Sequence, residues 1–181
     1  MLAIQHSEID DTIKPAIEWI DGRPVQKLMP TDWHAFLQLA FAEHVKAWVR
    51  SQSLPGRVGT EWRFVIPPNS HETESLVPDV AYLARYFELA KGERKYPQIP
   101  PDIVVEILSP DDRAAVVAKR RRFYLWWGVK LVLIVNPDAR TVEAHESSTR
   151  STVFDENERL TSESFPSLSL PLNQIFAEIN E

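Results

Sequence analysis

Ile103-Val104-Val105-Glu106-Ile107-Leu108 is the stretch on which the fold turns. Apolar side chains at consecutive positions, rather than at alternate ones, mark a strand covered on both faces. Ser109-Pro110-Asp111-Asp112 then opens a helix, with acidic residues near the end where the helix dipole favours them. The helix reaches about Trp127 and stops at Gly128. A second fully apolar strand, Leu131 to Val135, comes next. Strand, helix, strand in that order is a crossover, which joins parallel neighbours inside a covered sheet. The fold class is therefore α/β, a central sheet flanked by helices.

On the N-terminal side, Val77 to Leu83 reads as another strand, with a short helix near Arg85 to Lys91 and a Pro-rich charged loop from Gly92 to Pro101. Glu61 to Ile66 alternates polar and apolar and reads as a strand ended by Pro67-Pro68-Asn69-Ser70. Thr31 caps a helix that runs to about Arg50, with Trp33, Phe36, Leu37, Ala40, Phe41, Val45 and Trp48 at helical spacing. Ser53-Leu54-Pro55-Gly56 breaks it. Asp21-Gly22, between Glu18-Trp19-Ile20 and Pro24-Val25-Gln26, is a hairpin turn. On the C-terminal side, Thr141 to His145 reads as an outer strand, Ser151 to Phe154 as a last strand, and Asn173 to Ile179 as a short helix. One domain over 1–181 is expected, with an arm at about 1–16 and an extension at about 147–181.

With 181 residues, 44% of them hydrophobic, the chain can bury a real core. It has no cysteine, which excludes disulfides, thiolate metal sites and cysteine nucleophiles. No apolar run spans a bilayer and the start has no signal-peptide pattern, so a cytoplasmic protein without a membrane partner is expected. A net charge of −6 argues against a broadly basic nucleic-acid coat but leaves room for a nuclease with local basic groups. Walker-type and dinucleotide glycine loops, HExxH and G-x-S-x-G are all missing.

Glu106 is the chemical anomaly. A carboxylate inside an Ile/Val/Leu strand is costly unless it is paired or holds a metal. Asp79, at the entry to the preceding strand, is unremarkable alone and interesting beside Glu106. Two carboxylates on adjacent strands can grip a hard divalent cation, which can activate water and polarise a phosphoryl oxygen. A structural salt bridge is the competing reading. In Lys119-Arg120-Arg121-Arg122, a solvated helix face is the plain alternative. At about 100° per residue, however, Arg120 falls on the inward face set by Val116, Phe123 and Trp127, with Lys119 at its edge. A cation there needs a carboxylate partner, and Glu106 and Asp79 are the natural ones. His34 on the first helix is a further candidate, against a structural histidine. Glu61 and Glu43 are possible third carboxylates that the sequence does not separate.

Val77-Pro78-Asp79-Val80-Ala81, Pro101 to Pro110, Tyr124-Leu125, Gly128-Val129 and Val135-Asn136-Pro137 with Arg140-Thr141-Val142 carry a resemblance. Together they resemble the Uma-two family, bacterial restriction endonucleases of the PD-(D/E)XK superfamily. The resemblance runs from about Ile17 to His145 and is most specific from Pro101 to Pro137. It implies a restriction-endonuclease-like fold with a mixed central sheet. It also implies an Mg²⁺ or Mn²⁺ site made by Asp79, Glu106 and the backbone carbonyl of Ile107, and endonuclease action on DNA. A homodimer is expected because cutting both strands takes two sites. The superfamily places a Lys two residues after the Glu, where this chain has Leu108. The family moves that Lys onto the following helix, where this chain has Arg120, with Lys119 one residue earlier. Arg stabilises charge but does not readily give up a proton. A catalytically weakened or inactive nuclease fold that acts as a nucleic-acid-binding or regulatory module is therefore the alternative function.

Overall fold

The apolar run around Glu106 forms the middle of a six-stranded mixed sheet. A computed structural model describes residues 12–20, 22–66 and 75–180. In chain order the elements are β1 (Ile17–Ile20), β2 (Arg23–Gln26), α1 (Asp32–Ser51), β3 (Arg57–Thr60), β4 (Phe64–Val65), β5 (Ser75–Leu76), β6 (Val80–Leu83) and a 3-10 turn (Ala84–Glu88). Then come β7 (Ile103–Ile107), α2 (Ala114–Trp127), β8 (Leu131–Asn136), β9 (Thr141–His145), β10 (Ser151–Asp155), β11 (Arg159–Thr161), β12 (Ser169–Pro171) and α3 (Leu172–Ala177).

The large sheet has the order β10-β9-β8-β7-β6-β3. β7 and β8 are parallel, as the crossover through α2 requires, and the other neighbours are antiparallel. Alternation sorts the side chains of the central strands onto two faces. Val105, Ile107, Leu133 and Val135 join Leu37, Phe41 and Val45 of α1 in one core. Val104, Val132 and Ile134 join Phe123 and Tyr124 of α2 in the other. Glu106 alternates with Val105 and so points, like Val104, to the α2 side. The C-terminal segment contributes Leu160, Leu168, Leu170, Ile175 and Phe176 to the α1-side core. β1, β2, β4 and β5 make a separate four-stranded sheet, ordered β2-β1-β5-β4.

Several local expectations change. The segment 61–66 is not one strand. β3 lies before it, starting just past Gly56, and only Phe64–Val65 is a strand within it. Gly56 permits this start: at φ 102°, a Cβ there would come within 2.1 Å of the Leu83 carbonyl oxygen. Of the stretch 77–83 only Val80–Leu83 is a strand, β6; β5 ends before it at Leu76, and Pro78, which has no N–H for a ladder, lies between the two. α2 begins at Ala114, because the Asp112 carboxylate first accepts the Ser109 N–H in a turn of its own (2.7 Å). The helix near Arg85 is a 3-10 turn over Ala84–Glu88. β9 is interior, with β10 outside it. Trp33 and Phe36 face outward while Leu37, Ala40 and Phe41 are buried.

Thr31 caps α1 as expected, its side chain accepting the His34 N–H, and Gly128 ends α2 in the left-handed conformation. The hairpin forms with Ile20 opposite Arg23. Asp21, the segment Pro67 to Ser70 and most of the expected arm lie outside the described residues. Among the described residues no helix is long and apolar enough to cross a membrane.

Candidate metal centre

The register of β6 against β7 brings the two carboxylates together. Val80 pairs with Val105 in an antiparallel ladder. Asp79, one residue earlier, therefore lies opposite Glu106, one residue later, and directly opposed residues share a face. Both are buried, Asp79 1% and Glu106 6% exposed.

Each carboxylate is held by its own set of donors. Asp79 Oδ2 accepts the Ile107 backbone N–H at 2.7 Å and lies 3.2 Å from His34 Nε2. Asp79 Oδ1 accepts from Lys27 Nζ at 2.5 Å. Burial by itself would raise the Asp79 carboxyl. The Lys27 ammonium and the bonds from His34 and Ile107 outweigh it and hold the group well below the usual carboxylate range. Asp79 is thus an acceptor only, so His34 Nε2 carries the shared proton, and the other ring nitrogen is Nδ1. That Nδ1 is buried without a hydrogen-bond partner.

Glu106 is opposite in state. Tyr124 Oη on α2 donates to Glu106 Oε1 at 2.7 Å. Burial, then the negative charge of Asp79, push Glu106 up to about 8, although Lys27 and Arg120 pull the other way. Tyr124 is raised well above its ordinary value by the same burial and stays a donor. At neutral pH the pair thus carries one negative charge and one proton, as two crowded carboxylates do.

Around them lies a polar frame. Gln38 Nε2 donates to the Asp79 carbonyl (2.9 Å) and to Glu61 Oε1 (3.2 Å). Glu61 also lies 3.3 Å from Lys27 Nζ, at a left-handed φ of 48° between β3 and β4. Such a backbone is uncommon for Glu and is held here by the surrounding bonds. Burial raises the Glu61 carboxyl, against the pull of Lys27. A cleft of about 250 Å³ opens beside the cluster, lined by Lys27, His34, Asp79, Glu106, Ile107 and Arg120 among others.

The structure thus brings Asp79, Glu106, Ile107, His34 and Arg120 to one cleft, with Glu61 next to it. Arg120 faces inward as its helical phase requires, but its partner differs from the expected one. Nε and a terminal nitrogen of the guanidinium reach Glu18 Oε2 at 2.8 and 2.7 Å. Glu18, fully buried on β1, also accepts the Val77 N–H at 2.8 Å. Lys119 is exposed and does not line the cleft, because one residue of helical rotation turns it toward solvent. Glu43 is exposed on α1, away from the cluster.

Sequence reasoning missed Lys27, Glu18, Gln38 and Tyr124. A buried Glu in an otherwise apolar hairpin strand was a signal of the same kind as Glu106. Nothing in the sequence around Lys27 marks it, since its role comes from contacts 50 and 52 residues away.

A mixed sheet with two opposed buried carboxylates beside a cleft is compatible with a restriction-endonuclease-like protein, and the chain's similarity to known proteins gives that class. Residues 5–173 match the Uma2 family model, described as "Putative restriction endonuclease". The chain belongs to the Uma2 family. A similar solved structure is that of a "putative nuclease belonging to DUF820 from Anabaena variabilis ATCC 29413". It has a TM-score of 0.79 and 26% identity, over 93% of each chain. No curated protein matches.

Proposed function

We propose that the protein is a metal-dependent endonuclease that hydrolyses phosphodiester bonds of DNA. The observation that carries this is the opposition of Asp79 and Glu106 on neighbouring strands beside an open cleft, in a chain of a restriction-endonuclease family.

The donor set fits Mg²⁺ or Mn²⁺ in kind. Asp79, Glu106 and the Ile107 carbonyl would hold it, all through oxygen, as hard cations prefer. Asp79 Oδ1 already holds a cationic group, Lys27, and Glu106 is kept neutral first by its burial and then by the charge of Asp79, both of which a bound cation would offset. Among the described residues no three acidic or histidine side chains form a ready cage. Two carboxylates and a carbonyl leave room for water, which Mg²⁺ retains. When bound, such an ion polarises a phosphoryl oxygen and makes a water more acidic.

The chain's own residues supply the frame. His34 and the Ile107 N–H fix the Asp79 carboxylate, Tyr124 fixes Glu106, and Gln38 ties the Asp79 backbone to Glu61. Arg120 holds the β1 hairpin against α2 through Glu18 and adds positive charge at the cleft wall. In hydrolysis the water oxygen bonds to phosphorus and the bond to the leaving oxygen breaks. One water proton ends on that oxygen, and the other goes to the new phosphate or to solvent.

Nicking of supercoiled plasmid with Mg²⁺ or Mn²⁺, alongside an RNA substrate, tests the reading. Asp79→Asn and Glu106→Gln should each slow nicking by about 100-fold or more, as loss of a metal-holding group does. Cleavage that survives both changes would refute it. A second reading, binding without turnover, has one observation in its favour. Leu108 stands where the superfamily has Lys, and Arg120 is committed to Glu18. DNA binding by the wild type with no nicking under any divalent ion would favour it.

A further inference from the structure

Lys27 is the least expected member of the cluster. It ends the hairpin, one residue past β2, and its side chain is 9% exposed. Its ammonium donates to Asp79 Oδ1 (2.5 Å) and the Val77 carbonyl (2.8 Å) and lies 3.3 Å from Glu61. An ammonium has three donors, and those three oxygens take all of them. A purely structural lysine would be sealed in. Lys27 instead lines two cavities. One is the Asp79–Glu106 cleft. The other, of about 390 Å³, is lined by Gln38 and Glu61 and shares Lys27, Leu28 and His34 with the first. The side chain is therefore a partition between two spaces, with a carboxylate acceptor on each side. Arg120, by contrast, cannot leave Glu18 without exposing a fully buried charge.

We propose that Lys27 is the mobile cation of this centre. Its ammonium occupies Asp79 Oδ1 in competition with a divalent ion, retires toward Glu61 when that oxygen is taken, and there gives a bound phosphodiester a movable positive charge, which Leu108 lacks and which Arg120, held by Glu18, cannot bring to it. This rests on the nuclease reading for its second half only. The first half, competition for Asp79, rests on the divalent-ion site proposed above and on the contact of Lys27 with Asp79 Oδ1. Lys suits the task because its flexible stem carries a point charge that can move, where a planar guanidinium held by two bonds cannot. A cation beside the non-bridging oxygens stabilises the negative charge that those oxygens carry during attack at phosphorus.

The test separates the two halves. Mn²⁺ binding to the full chain is measured by isothermal titration without nucleic acid, for wild type, Lys27→Met and Lys27→Arg. Removing the competitor should tighten Mn²⁺ binding in Lys27→Met by about ten-fold. Unchanged or weaker binding would overturn the competition. Plasmid nicking is then measured at saturating Mn²⁺, where affinity no longer matters. Lys27→Met should be slower by about 100-fold and Lys27→Arg should recover part of the loss. Nicking by Lys27→Met within about three-fold of wild type would overturn the role toward phosphate. If the wild type itself does not nick, the nuclease reading falls and the Mn²⁺ titration still decides whether Lys27 competes. If Lys27→Met does not fold, Lys27→Gln carries the same measurements, because it keeps an amide donor and loses the charge.

Discussion

Two buried cation–carboxylate pairs stand a few residues apart in this protein and differ in almost every respect that matters. Arg120 and Glu18 form a sealed pair. Both guanidinium contacts converge on one oxygen, and the other oxygen accepts the Val77 N–H. Lys27 and Asp79 form an open pair at the border of two cavities, with Glu61 as a second acceptor. The first pair is a clamp between β1, α2 and the approach to β6. The second is placed to be exchanged. A buried charge thus carries different meanings according to whether its surroundings leave it an alternative.

The largest effect expected from breaking the comparison is on the clamp. Arg120→Met leaves Glu18 buried and uncompensated and should cost about 3–5 kcal/mol in urea unfolding. Divalent ions should not restore it. The double variant Glu18→Gln with Arg120→Met should recover much of the loss, which a double-mutant cycle reads directly.

Lys27→Met should come second, at about 1–3 kcal/mol in the metal-free protein, because Asp79 keeps His34 and the Ile107 N–H as donors. Here saturating Mn²⁺ should restore stability. A Lys27→Met loss that Mn²⁺ leaves untouched would make the two pairs alike and remove the distinction.

The proton on Glu106 gives a sign that can be checked. Its folded value is about 8 against an ordinary 4.5, so between these limits the folded state holds a proton that the unfolded chain has released. Stability from this group is full below about pH 4.5 and falls as pH rises toward 8. Metal-free melting temperature should therefore decline across that window, and Glu106→Gln should flatten the decline. The smallest effect is at the α1 cap. Thr31→Ala removes the acceptor for the His34 N–H and should cost about 1 kcal/mol, seen as a lowered urea midpoint.

Much of this architecture was legible in local patterns. The runs 103–108 and 131–135 are apolar on both faces and could only be central strands, and the helix between them fixed their parallel pairing. Glu106 was visible because its neighbours made it expensive. Asp79 was visible only through its pairing with Glu106. What stayed hidden depends on contacts distant in sequence. β3 begins directly after a Gly that looked like a stop, because Gly56 lets the chain press against Leu83. The helical phase of Arg120 was readable, but its partner Glu18 lies 102 residues away in another sheet. Lys27 follows a hairpin whose outline was plain and whose destination was not. α1 misled in a smaller way: Trp33 and Phe36 fit its apolar periodicity and still face solvent, since periodicity gives a stripe and not its exact width.

The central claim, that Asp79 and Glu106 make one oxygen site for a divalent ion, is tested most directly by anomalous diffraction from crystals soaked in Mn²⁺. A single Mn²⁺ peak touching both carboxylates is expected, with the Lys27 ammonium withdrawn from Asp79 Oδ1. A peak elsewhere, or none at saturating Mn²⁺ with Lys27 still on Asp79, would contradict it.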